Sequence, residues 1–127
     1  LLEQLSAEIQ ALPVATELLY CDSPGTQLIH LLQADRPTIL IDALLVGKDP
    51  GRVHVLQRED LDASDARVSS HVFPVAAVLQ LAANLGVLPT SLSILGIGVL
   101  AERRLEARDR ARAQQDLFVQ IKHIVCD

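Results

Sequence analysis

The sequence predicts an α/β fold: a single three-layer α/β/α domain with a mostly parallel sheet, one antiparallel strand and helices on both faces. Three observations carry that prediction. Segments with helical apolar spacing alternate with short, nearly continuous apolar runs, the pattern of parallel strands covered on both sides by their connecting helices. The turn "KDPG" at 48–51 joins two strand-like segments and is too short to hold a crossover helix, so those two segments are expected to pair antiparallel. The 127 residues are half hydrophobic but only 2% aromatic, so the core is filled by Leu, Ile, Val and Ala.

The elements follow in order. "LLEQLSAEIQAL" at 1–12 places Leu2, Leu5, Ile9 and Leu12 on one helical face. "VATELLYC" at 14–21 reads as a strand. "DSPG" at 22–25 reads as a helix start, with Ser23 suited to the N-cap and Pro24 to the first helical position, where an absent N–H costs nothing; Leu28, Leu31 and Leu32 then form the buried face. "PTILIDALLV" at 37–46 is an apolar run expected to be covered on both faces, and "RVHVLQ" at 52–57 alternates as a strand with one exposed face would. "REDLDASDARVSS" is a polar, acidic surface loop. "SSHVFPVAAVLQLAANLG" at 69–86 is a third helix with Val75, Val78, Leu79, Ala82 and Leu85 on one face, closed by Gly86 and stopped by Pro89. "SLSILGIGV" at 91–99 is a second buried strand run, and the remainder is a long charged helix carrying Leu117, Phe118, Ile121 and Ile124.

Composition narrows the function. A net charge of −5 argues against general binding to nucleic acid or to acidic membranes. "ERRLEARDRAR" at 102–112 holds five arginines but also Glu102, Glu106 and Asp109, and the four-residue spacing of Glu106 and Arg110 suits a solvated helix face better than an RNA-binding arm. Cys21 and Cys126 have neither metal-type nor redox-type spacing and are read as free thiols. With no signal peptide and no apolar run long enough to span a bilayer, the expected location is the cytoplasm.

In open α/β sheets ligands collect beyond the carboxyl ends of parallel strands. Asp42 ends the apolar run "TILI", and a carboxylate there either accepts backbone N–H bonds or faces a ligand; the residues alone leave both open. His71 opens the third helix, where the loop can return to the same rim. A carboxylate and an imidazole meeting there would make a partial site for Zn, Ni or Fe. His30, His54 and His123 have no partner visible from spacing, and no base marks Cys21 as a nucleophile. "GIGV" at 96–99 lacks the third glycine of a dinucleotide loop. There is no phosphate loop and no nucleophile elbow.

Together these segments resemble the hydrogenase maturation protease family, the endopeptidases that trim the large subunit of nickel-iron hydrogenases. "ADRPTILIDALLVGKDPGRVHVL" is similar to the family's central strand, its aspartate, the Pro-Gly turn and the returning strand. "SSHVFPVAAVLQLAANLG" is similar to the Ser-x-His segment and its helix, "LPTSLSILGIGV" to the strand that follows, and "YCDSPGTQLIHLL" more loosely to an Asp-Gly-Gly-Thr stretch. The resemblance is carried mainly by residues 34–99. It implies an aspartic-type, metal-binding hydrolase in which Asp42 and His71 contact nickel and take part in catalysis. The nickel would be supplied by the precursor of the large subunit, which is the implied partner, and no organic cofactor is expected. The family's third acidic position, on the first helix after a Gly-x-Gly-Asn turn, has no counterpart here. The chain is therefore expected to lack its native N-terminal strand and glycine-rich turn, and a Glu-Pro and a further glycine-rich stretch usual after the last strand are also missing. Two other readings stand beside this one: a non-catalytic α/β module gripping a hydrogenase precursor or maturation factor, and a small nucleotide-binding domain, which rests on architecture alone.

Overall fold

The computed structural model describes residues 2–21, 26–57, 72–101 and 103–126. Its elements are α1 (Leu2–Gln10), α2 (Thr26–Leu31), β1 (Thr38–Leu45), β2 (Val53–Leu56), α3 (Val72–Leu85), β3 (Leu92–Val99) and α4 (Ala107–Cys126). The strands form one mixed sheet in the order β1-β3-β2. β1 and β3 are parallel, with Thr38 opposite Leu92 and Leu45 opposite Val99. β2 runs antiparallel to β3, with Val53 opposite Ile97 and Leu56 opposite Ile94. The α/β fold class, with one antiparallel strand in a mostly parallel arrangement and helices on both faces, is as the sequence predicts.

The two-residue period of the strands divides their side chains between two cores. Ile39 and Ile41 of β1, Val53 of β2, and Leu95 and Ile97 of β3 pack with Leu5 and Ile9 of α1 and with Ala113, Leu117 and Ile121 of α4. The four-residue spacing in both helices makes one apolar stripe on each. A bond from Gln114 Nε2 to Glu8 Oε1, 3.1 Å, ties the pair together. On the opposite face Leu40, Leu56 and Ile94 pack with Leu28 and Leu32 from the α2 segment and with Val78, Leu79 and Ala82 of α3. α3 ends in a Schellman arrangement: Val87 N–H donates to Ala82 O at 2.9 Å and Gly86 N–H to Ala83 O at 3.2 Å, while Gly86 takes φ 77°, a conformation that favours glycine.

Three features differ from the sequence expectation. First, the strand that follows the Lys48–Gly51 turn pairs with β3, not with β1. The link at 46–52 carries the chain across the end of β3, where Gly51 N–H donates to Gly98 O (2.8 Å) and Gly98 N–H to Arg52 O (2.9 Å). A Cβ on Gly98 would stand 3.1 Å from Val46 Cγ2 and 3.4 Å from the carbonyl oxygens of Arg52 and Asp49. The glycine therefore gives the crossing chain its room, and β3, the most apolar strand, takes the centre.

Second, residues 14–21 form no strand. Val14, Leu19 and Tyr20 are 44%, 51% and 56% exposed, and strand preference expresses itself only where a ladder and a packed face exist to reward it. Third, the charged segment at 102–112 is not one solvated helix. α4 begins at Ala107, and Asp109, at its third position, is buried. Asp109 Oδ2 accepts from Glu106 N–H at 3.1 Å, the return half of a capping box. The Glu106 and Arg110 side chains do not pair with each other: Glu106 Oε2 lies 3.4 Å from Arg108 Nε, and the Arg110 guanidinium donates to Leu105 O at 2.7 Å. Ser23, Pro24 and the loop at 58–70 lie outside the described residues.

Candidate active site

Asp42 is the fifth of the eight residues of β1. Since Leu40 faces the α2/α3 core and Ile41 the α1/α4 core, alternation puts Asp42 on the α2/α3 face. Thr38 N–H donates to Ser91 O and Val46 N–H to Val99 O, both at 2.9 Å, so the even-numbered amides of β1 point at β3 and the odd-numbered ones point to the opposite edge. Asp42 Oδ1 accepts one of these outward amides, Ala43 N–H, at 2.8 Å. The side chain is half-buried, and that bond is its only one among the described residues. The structure shows the backbone-capping reading of this aspartate at one oxygen: Oδ1 caps an edge amide, and Oδ2 has no hydrogen-bond partner among the described residues.

His71 lies outside the described residues. Its neighbour Val72 is the first residue of α3. The link at 86–91 returns the chain from the end of α3 to the start of β3, so the opening turn of α3 is the end directed away from the amino edge of the sheet, on the face that carries Asp42.

His54 was not distinguishable from a solvated strand residue by spacing, and the structure separates it. It stands opposite Gly96 on β2, and Gly96 stands opposite Asp42 on β1. Because Leu56 faces the α2/α3 core, His54 faces it too, and the row Asp42, Gly96, His54 crosses the sheet on one side. His54 Nε2 is buried with no hydrogen-bond partner among the described residues. A buried polar atom left unsatisfied costs roughly 1–3 kcal/mol, and in native proteins such an atom is met by an ordered water, an ion or a ligand, or stores strain. The signal that could have found it is parity with Asp42, which exists only once the β1-β3-β2 register is known.

The remaining candidates do not join this row. His30 and His123 are exposed; Cys21 Sγ lies 3.7 Å from Gln27 Oε1, and Cys21 and Cys126 form no disulfide. Gly96 and Gly98 sit within β3, against Leu44 and Leu56 and against the crossing link at 46–52. Across the sheet, a hollow of about 390 Å³ at the start of α4 is lined by Asp49, Pro50, Arg103, Arg108, Asp109 and Arg112, with the Asp109 carboxylate already occupied by its cap. Among the described residues no three His, Cys, Asp or Glu side chains gather closely enough to hold a metal ion, and no helix is long and apolar enough to cross a membrane.

The HycI hydrogenase maturation protease family model matches residues 5–121. The chain belongs to the hydrogenase maturation protease family. Among solved structures, the hydrogenase maturating endopeptidase HybD from E. coli superposes with a TM-score of 0.72 at 21% identity, over 96% of this chain and 79% of that one; at that identity the likeness bears on the fold. The comparison with curated proteins gave no match. The part of this protease matched by the family runs through all three strands and both sheet-covering helix pairs, so the row of Asp42, Gly96 and His54 lies within it.

Proposed function

We propose that this hydrogenase maturation protease is the endopeptidase that removes the C-terminal extension from the nickel-loaded precursor of a nickel-iron hydrogenase large subunit, with Asp42 and His71 contacting the nickel that the precursor brings. The observation that carries this reading is the divided carboxylate of Asp42: one oxygen is fixed by Ala43 N–H, which orients the group, and the other is left to meet a ligand. The donor types fit. Carboxylate oxygen and imidazole nitrogen suit borderline divalent ions, and His54, whose Nε2 has no partner among the described residues, lies on the same face of the sheet as Asp42.

In this reading the ion is part of the substrate, and when bound it supplies a positive charge beside the scissile peptide. The protein's own residues do the rest. Asp42 binds and orients the ion through its free oxygen, while Oδ1 stays on Ala43 N–H and fixes the carboxylate plane. Leu40 and Leu56, on the same face as the row, pack into the α2/α3 core, and an apolar surround strengthens an electrostatic contact made beside it.

The test is nickel dependence. Purified protein is incubated with precursor purified with and without nickel, and the precursor is followed by intact mass. Loss of the extension only from the loaded form is expected. Equal cutting of both forms removes the recognition role of the metal, and cutting of neither removes the proposed activity.

A further inference from the structure

We propose that the arginine-lined hollow at the start of α4 docks an acidic side chain of the precursor polypeptide, as a second contact apart from the Asp42 row. The inference rests on the reading of a hydrogenase precursor as the substrate and adds a surface that grips it.

The fold sets the position. β1 and β3 are parallel and end together at Leu45 and Val99, and the chain leaving each one enters the lining of the hollow, at Asp49 and Pro50 after β1 and at Arg103 after β3. The hollow therefore lies beyond the carboxyl ends of the parallel strands, where open α/β sheets collect their ligands. Asp42 stands three residues before the end of β1, about 10 Å along the strand. An extended polypeptide at Asp42 reaches this rim within a few residues.

Charge selects the occupant. The chain as a whole carries a net charge of −5, yet Arg103, Arg108 and Arg112 gather around this one hollow of about 390 Å³. Two of the nearby charges are already matched. Arg108 Nε lies 3.4 Å from Glu106 Oε2, and the buried Asp109 carboxylate accepts Glu106 N–H at the positive end of α4. Arg103 and Arg112 have no hydrogen-bond or ion-pair partner among the described residues, and neither has the Asp49 carboxylate that shares the rim. Two exposed guanidinium groups thus stand against one exposed carboxylate, which leaves one positive charge in excess. A guanidinium presents a planar fork of donors that matches a carboxylate, and a single excess charge suits a carboxylate better than a phosphate group of about two charges. Pro50 is the only apolar residue of the described lining, so the hollow offers no aromatic or aliphatic wall to a base or a cofactor ring. Exposed ion pairs are weak singly, and the contact adds affinity and encounter rate that salt screens.

The test uses the complete chain and nickel-loaded precursor. Wild-type protein is modified with phenylglyoxal alone, with inorganic phosphate present and with the precursor present, and the labelled arginines are read by peptide mass. Arg103 and Arg112 are expected to be protected by the precursor and to react in phosphate, while Arg104, exposed and outside the hollow, reacts throughout. In binding titrations at low salt, Arg103→Gln and Arg112→Gln should each weaken precursor binding about threefold and together about tenfold, whereas Arg104→Gln binds as wild type does. Unchanged reactivity of Arg103 and Arg112 in the presence of precursor overturns the inference, and that reading needs no variant to fold. Protection by phosphate and not by precursor identifies a small-anion site and also overturns it, as does an Arg104→Gln effect equal to that of either hollow arginine. If the precursor is cut while both arginines stay reactive, this inference fails and the proposed function stands. If they are protected and the precursor is never cut, the docking surface stands and the proposed function fails.

Discussion

Replacing three glycines by alanine separates backbone strain from steric contact, and Gly51→Ala is the severe case. Gly51 holds φ 87°, and a Cβ there would lie 2.5 Å from the carbonyl oxygen of Asp109 and 3.1 Å from its carbonyl carbon and Cα. The obstacle is backbone in the first turn of α4, so no side chain can swing aside. A non-glycine residue in the left-handed region costs roughly 1–2 kcal/mol, and forcing an extra carbon into a packed contact costs about 1–3 kcal/mol more. The expected loss of about 2–5 kcal/mol is a large part of the ~5–15 kcal/mol that holds a domain folded. Gly86→Ala carries the same backbone term at φ 77° with nothing within 4 Å, and Gly47→Ala has open space and no positive φ. The predicted order of destabilisation is therefore Gly51 well above Gly86, and Gly86 above Gly47, where alanine is neutral or slightly stabilising through the unfolded chain. Urea unfolding followed by circular dichroism gives the three midpoints, read at constant slope. A Gly51→Ala protein within 0.5 kcal/mol of wild type would refute the docking of the β1–β2 link against α4.

Further outcomes follow from the same contacts. Asp109→Ala removes the acceptor for Glu106 N–H and should lower stability by about 0.5–2 kcal/mol, whereas the exposed Arg108→Ala should change it by less than about 0.5 kcal/mol; equal effects on urea midpoints would contradict the capping role. Leu95→Ala and Leu117→Ala, both at fully buried positions, should each cost about 2.7–5 kcal/mol. Leu85, 61% exposed, should tolerate alanine with a far smaller shift in melting temperature.

Much of this architecture could be read from residue order because its strongest signals are local. Leu5 and Ile9 in α1, Val78, Leu79 and Ala82 in α3, and Leu117 and Ile121 in α4 follow helical spacing and are the residues found buried. The apolar runs of β1 and β3 likewise announce strands covered on both faces. What could not be read was pairing. A short turn implies a hairpin, yet here the chain passes over Gly98 and leaves β3 between the two strands, a choice made by where the most apolar strand must lie. The same limit hid part of the candidate site. Asp42 was visible as an acid inside an apolar run, but His54 lies twelve positions later on another strand and joins it only through the register with Gly96. Asp109 was misread because a buried cap and a solvated charge look alike in an arginine-rich segment.

The central claim is that Asp42 and His71 make the contact with the nickel on which cutting depends. Its most direct test is intact-mass measurement of nickel-loaded precursor after incubation with wild-type protein, Asp42→Asn and His71→Ala. Asparagine keeps an oxygen for Ala43 N–H, so Asp42→Asn should melt within a few degrees of wild type, and each variant should cut more slowly by about a hundredfold or more. Removal of the extension at the wild-type rate by either folded variant would contradict the account.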